Sequence, residues 1–280
     1  MIPENSFRNS RYYLCFEYQK TGIYYKKPRS EVSVSEESKQ KIGSYMSPIE
    51  VENCKKCERL VEFRSKIALE KKLCYREEEY WGKPVPSFGD KDAALLICGL
   101  APAAHGGNRT GRMFTGDRSG DFLYEALWRH GYANQANSTS GDDGLRLRGA
   151  YITAVVRCAP PDNKPLPEER ENCIPFLREE LLELKNLTTI LALGAFAYDV
   201  LWRLYGTSTK PDNSHSLLPD IIKKPKFRHG LEIQLDTKVS MICSYHPSQR
   251  NVFTKLLTKE MFDEILLRCR ALSSYNRGEV

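Results

Sequence analysis

Short apolar runs alternate with longer amphipathic segments along most of this 280-residue chain, and that alternation limits its fold more than any other feature. The runs cover 93–98, 149–156, 188–193 and 239–243, each the length of a buried strand. Around and between them, segments 57–72, 120–131, 167–184, 194–205 and 258–274 place apolar residues every three or four positions, as helices with one buried face do. Continuous apolar strands are covered on both faces, and strand–helix–strand connections deliver parallel neighbours. The pattern therefore predicts an α/β fold built on a parallel sheet. Pro175 falls inside 167–184 and predicts a kink or a late start there, because proline lacks the amide an inner helical turn needs. Segment 207–226, rich in Ser, Pro, Asp and Lys, reads as a surface loop.

Residues 1–45 stand apart from this pattern. They hold six of the fifteen tyrosines and eight Lys/Arg against five Glu, half of the formal charge of +6. The division expected is an N-terminal extension at 1–45 and a single catalytic domain at 46–280. The extension is either a partly disordered arm or a stretch upstream of a true start at Met46. The rest of the chain is only mildly basic, which permits a nucleic-acid partner without requiring one. Nine cysteines, with no apolar leader before them, point to a reduced, cytoplasmic protein. No run reaches the roughly 18 apolar residues that a membrane span needs.

Each apolar run opens into a segment rich in Gly, Pro and polar residues: GLAPAAHGGNRTGRMFTGD (99–117), RCAPPDNKP (157–165), LGAFAY (193–198) and SYHPSQRN (244–251). Loops at the carboxyl ends of parallel strands converge, so these four segments predict one shared site. The first carries Arg109, Arg112 and Arg118 for anions, one aromatic (Phe114) and one acid (Asp117). Its G-x-x-x-x-G frame is no P-loop, since Arg112 and Met113 stand where Lys and Ser/Thr are needed. Asp117 reads as a catalytic acid or as the cap of the following helix, and His246 as a catalytic group or an ordinary loop residue. Cys54 and Cys57 form a CxxC, and Cys158 and Cys173 flank the second loop. From spacing alone, zinc, an iron–sulfur cluster and unligated thiols all remain open. Cys15, Cys74, Cys98, Cys243 and Cys269 read as structural or incidental.

Taken in order, CKKC (54–57), YWGKPVPSFGD (80–90), the 99–117 loop, YITAVVRCAPPDNKP (151–165) and SYHPSQRNVFTKLLT (244–258) resemble the family 5 (type b) uracil-DNA glycosylases, from about residue 46 to 270. The resemblance implies a three-layer α/β/α sandwich with a central four-stranded parallel sheet. It also implies a 4Fe-4S cluster held by Cys54, Cys57, Cys158 and Cys173. It casts the chain as a monofunctional, monomeric glycosylase of base excision repair, removing deaminated bases from double- or single-stranded DNA. Asp117 would place or activate the water, and His246 would donate to the uracil O2. Phe114 would stack on the flipped base, with the amides around Ala101 and Ala103 and the side chain of Asn163 as further contacts. Related families carry an acid or amide where this chain has Leu100, and an asparagine where it has Ala154. That departure implies a broad base pocket, open to hypoxanthine and xanthine as well as uracil. Arg109, Arg112, Arg157 and Lys164 would hold phosphates, and 249–255, beginning Gln249, Arg250 and Asn251, would enter the gap left by the base. Two alternatives are a non-catalytic DNA-damage-binding protein with the same fold and cluster, and a zinc-stabilised nucleotide hydrolase.

Overall fold

The computed structural model describes residues 51–206 and 223–276. The expected extension at 1–45 and most of the expected loop at 207–226 lie outside these residues. Six strands form one sheet: β1 (Phe88–Gly89), β2 (Leu95–Gly99), β3 (Ala150–Ala154), β4 (Thr189–Leu193), β5 (Glu232–Gln234) and β6 (Ser240–Ser244), in the order β1-β3-β2-β4-β6-β5. The four expected strands run parallel in the middle, with β2 between β3 and β4. The expectation of a purely parallel, four-stranded sheet needs correcting at both edges, where β1 and β5 pair antiparallel. These edges are two and three residues long, too short to show a period.

Among the described residues seven α-helices surround the sheet: α1 (Glu58–Glu70), α2 (Gly107–Thr110), α3 (Arg118–Arg129), α4 (Pro167–Glu183), α5 (Ala195–Gly206), α6 (Gln249–Phe253) and α7 (Lys259–Asn276). Strand pleating sends alternate residues to opposite faces. Leu96, Cys98, Ile190, Ala192, Met241 and Cys243 join one apolar cluster with α1, α4 and α5. Leu95, Ile97, Leu191, Leu193 and Ile242 join a second with α3 and α7. Every residue of β2, β4 and β6 is buried, which accounts for their continuous apolar runs. Helix α4 runs through Pro175 without a break, so the expected kink does not end it. Cys98, Cys243 and Cys269 are buried in these clusters, whereas Cys74 is exposed.

After β2 the chain passes to β3 on one side, then crosses back to β4 on the other. The loops leaving β2 and β4 therefore part, opening a crevice beyond their carboxyl ends, the position where open α/β sheets bind ligands.

Candidate active site

The 99–117 loop fills that crevice. Beyond β2 it forms the single turn α2, then reverses so that Asp117 caps α3, its Oδ1 accepting from the amides of Ser119 (2.9 Å) and Gly120 (3.0 Å). Capping and catalysis, alternatives in the sequence, are therefore compatible: one oxygen is spent on the helix and Oδ2 is left for other work. A Cβ on Gly106 would lie 2.1 Å from that Oδ2, so only glycine lets the carboxylate sit where it does. Burial raises the Asp117 pKa above the ordinary aspartate value, only partly opposed by the Gly120 and Ser119 amides.

Phe114 adopts a left-handed backbone (φ 53°), strained for an aromatic residue. Its ring lies over the end of β2, where a Cβ on Gly99 would come within 2.7 Å of Cζ. From the β6 side, His246 brings its imidazole to a centroid distance of 5.9 Å from the Phe114 ring, at an interplanar angle of 29°. Desolvation lowers the imidazole pKa to about 4, so the ring is neutral at pH 7 and carries one N–H. Neither ring nitrogen has a hydrogen-bond partner among the described residues. The His246 carbonyl accepts from the Asn251 side chain and the Ser248 amide, both at 2.8 Å, which fixes the turn that presents the ring.

These groups border a cavity of about 480 Å³, with Leu100, Ala101, Ala103, Met113, Asn163, Gln249 and Arg250 among the other lining residues. A larger recess of about 1020 Å³ shares Ala103, Asp117, Arg118, Asn163 and Gln249 with it. Asp117 and Asn163 thus stand where the two meet. Asn163 reaches this point through two successive left-handed residues, Asp162 and Asn163 (φ 53° and 55°).

A carboxylate beside a neutral, unpartnered imidazole and a strained aromatic face is a set that can place water against one side of a bound base and donate to the other. Sequence comparison agrees. The family model for the uracil DNA glycosylase superfamily matches residues 86–270. The chain belongs to that superfamily. Among its relatives within the superfamily, a type-5 uracil-DNA glycosylase of Mycobacterium bovis is 48% identical over 221 residues, covering 79% of this chain and 78% of the relative. One from Thermus thermophilus is 43% identical, covering 79% and 94%. A type-4 uracil-DNA glycosylase of Pyrobaculum aerophilum is 35% identical over a shorter stretch, 46% of this chain and 58% of the relative.

Several residues expected to meet DNA in this superfamily member are occupied inside it. Arg109 pairs with Glu78, donates to the carbonyls of His105 (2.8 Å) and Gly116 (2.9 Å), and lies over the Tyr75 ring at 3.9 Å. Arg112 holds both oxygens of Asp143 at 2.8 Å and reaches Thr115 Oγ1 at 2.9 Å. Arg157 is 1% exposed and pairs with Glu180. All three are internal ties, because a guanidinium has enough donors to cross-link a loop of free carbonyls. Ala154 also departs from expectation: it pairs with Gly99 in the sheet, is 1% exposed and does not line the cavity. Asn251 braces His246 and likewise does not line the cavity. Exposed Arg118 and Arg250 take the rim position that the buried arginines were expected to hold. Ser119, just inside α3, and Ser248, the N-cap of α6, also line the cavity.

Away from the active-site cavity, Cys54, Cys57, Cys158 and Cys173 line one small recess of about 10 Å³. Among the described residues, no group of three or more His, Cys, Asp or Glu is placed to hold a single metal ion. The donor set of the recess is all sulfur, and it carries its own donors toward sulfur: Asn172 Nδ2 lies 3.5 Å from Cys57 Sγ, and the Arg157 main-chain amide donates to Cys173. Burial raises the Cys158 and Cys173 thiols to about 12 and about 11, values at which free thiols stay protonated.

Proposed function

We propose that the chain hydrolyses the N-glycosidic bond of uracil in DNA, leaving an abasic site for base excision repair. The observation that carries this reading is the placement of the Asp117 carboxylate, one oxygen uncommitted, across the same cavity from His246 and Phe114. As the bond breaks, positive charge grows on the sugar and negative charge on the departing base. Asp117 answers the first by orienting water and stabilising the sugar cation. His246, neutral and with its N–H unspent, answers the second at the base O2. Phe114 and the small surfaces of Ala101 and Ala103 flank the flipped ring, and Asn163 bonds its edge. No lysine lines the cavity, which favours water over a Schiff-base nucleophile. Activity extends to hypoxanthine and xanthine, because the stretch Leu100, Ala101, Pro102 and Ala103 lines the cavity with no side-chain donor or acceptor to single out uracil. The Ala154 argument for that breadth falls away with its burial.

Arg118, Arg250 and Gln249 meet the DNA at the rim, in single- or double-stranded substrates, and the protein acts as a monomer. The segment after His246 carries Phe253, 78% exposed, and the half-exposed Leu256. These apolar side chains fill the gap left by the extruded base. Cys54, Cys57, Cys158 and Cys173 hold a 4Fe-4S cluster, a reading supported by four sulfur ligands gathered around one recess and by the donors that Asn172 and Arg157 turn toward them. The cluster supplies a cross-link between the segment before α1, the β3 loop and α4, and takes no part in bond cleavage.

The test is a labelled duplex with one uracil, hypoxanthine or xanthine, followed by alkali cleavage of abasic sites. Cleavage of the uracil strand is expected, with no strand break before alkali. Intact uracil duplex overturns the assignment, and activity on uracil alone overturns the broad pocket. A purified protein containing zinc rather than iron overturns the cluster.

A further inference from the structure

Four arginines are buried among the described residues: Arg64, Arg109, Arg112 and Arg157. Three have a carboxylate within ion-pair distance, namely Glu78, Asp143 and Glu180 respectively for the last three. Arg64 has none. It lies on α1, two turns beyond Cys57, and is 5% exposed. Its guanidinium donates only to two neutral carbonyls, Gly82 O at 2.8 Å and Cys54 O at 3.3 Å, and its Nε has no partner. A buried charge gives up its hydration and is retained only where an opposite charge answers it.

The location of this unanswered cation is informative. Its bond to the Cys54 carbonyl holds the CxxC turn, which supplies two of the four sulfurs of the recess. Arg157, whose Nε is also without a partner, lines the same recess. Two of the three partnerless buried polar atoms in the described residues thus belong to arginines that bond the Cys54 turn or line the recess. Four cysteinates around a 4Fe-4S core form a dianion, which becomes a trianion on one-electron reduction.

We propose that Arg64 is the counter-ion of that cluster, a fixed positive charge that retains it and raises its reduction potential. This inference rests on the cluster assigned above. It explains why Arg64 alone among the buried arginines lacks a carboxylate: its partner is the cluster itself. A cation beside the cluster favours the more negative, reduced form, so removing the charge makes reduction harder. Arg157 contributes less, because Glu180 already neutralises it.

The experiment uses anaerobically purified holoprotein, assayed for iron and sulfide and titrated with dithionite while the reduced cluster is followed by electron paramagnetic resonance. Arg64→Gln removes the charge and keeps a donor; its potential is expected to move to more negative values at full iron content. Arg64→Lys restores the charge and should return the potential towards wild type. Lys66→Gln removes an exposed charge from the same helix and should leave it unchanged. An Arg64→Gln protein with full iron and an unshifted potential overturns the proposal. If Arg64→Gln loses its iron, Arg64→Lys decides: a retained cluster supports a requirement for charge, whereas loss from both variants makes Arg64 a brace for the Cys54 turn and overturns it. Wild-type protein without iron defeats the cluster assignment itself, an outcome distinct from all of these.

Discussion

Asp117→Asn separates the two tasks that one side chain performs. The cap rests on Oδ1, which accepts from Ser119 and Gly120. Asparagine offers the same oxygen, so the cap survives; alanine offers none and loses about 0.5–2 kcal/mol. For a domain of this size, each ~1 kcal/mol is a melting shift of roughly 2–4 °C. Burial adds a second contribution. Because the folded-state pKa of Asp117 is raised, the ionised carboxylate destabilises the folded protein at pH 7, and the penalty fades as pH falls through the raised folded-state value and is gone below the unfolded one. The neutral amide escapes it, so Asp117→Asn should melt at or above wild type at pH 7. Its glycosylase rate should nevertheless fall by about 10²–10⁴-fold, the usual share of a positioned base. Asp117→Ala should lose both activity and stability while still binding a uracil duplex. Thermal melts at pH 7 and pH 4, paired with single-turnover cleavage, read all of these. Asp117→Asn cleaving within tenfold of wild type, or melting as low as Asp117→Ala, would refute the reasoning.

The pH profile follows from the same two groups. Activity should fall in acid as Asp117 takes up its proton above the ordinary aspartate range, yet show no step near the usual imidazole value, since His246 titrates only at about 4; a limb near neutrality that vanishes in His246→Gln would contradict this. Arg250→Ala should weaken DNA binding and lower the salt dependence by about one counter-ion, measured by fluorescence anisotropy across a salt series. By contrast, Arg112→Ala breaks a buried pair with Asp143 and should cost about 3–5 kcal/mol in chemical denaturation. Equal salt slopes for wild type and Arg250→Ala would move the phosphate contact elsewhere.

The four apolar runs and five amphipathic segments all appear as strands and helices, because burying one stripe or two faces leaves a period in the residues themselves. Convergence of the four loops was legible for the same reason: parallel connection puts all their carboxyl ends on one side. Edge strands β1 and β5 left no such trace. Nor did the fate of the arginines. Arg109 and Arg112 in the glycine-rich loop and Arg157 at the head of the Pro-rich one read as anion binders, and an unpaired surface arginine looks the same in one dimension. Their partners Glu78, Asp143 and Glu180 lie 31, 31 and 23 positions away, and only folding brings them within reach.

What the sequence determined alone was the layered α/β frame and the edge at which its loops converge, with Phe114, Asp117 and His246 as candidates there whose roles came only with the family resemblance. The frame and its edge follow from local periodicity and parallel connection. The tertiary structure decided which charges face outward. It spent one Asp117 oxygen on a helix cap and left the other over Gly106, turned three arginines inward, sank Ala154 beneath the cavity, and left Arg64 buried beside four thiols with no carboxylate to answer it. Such outcomes depend on desolvation and on partners distant in the chain, and these exist only once the chain has folded.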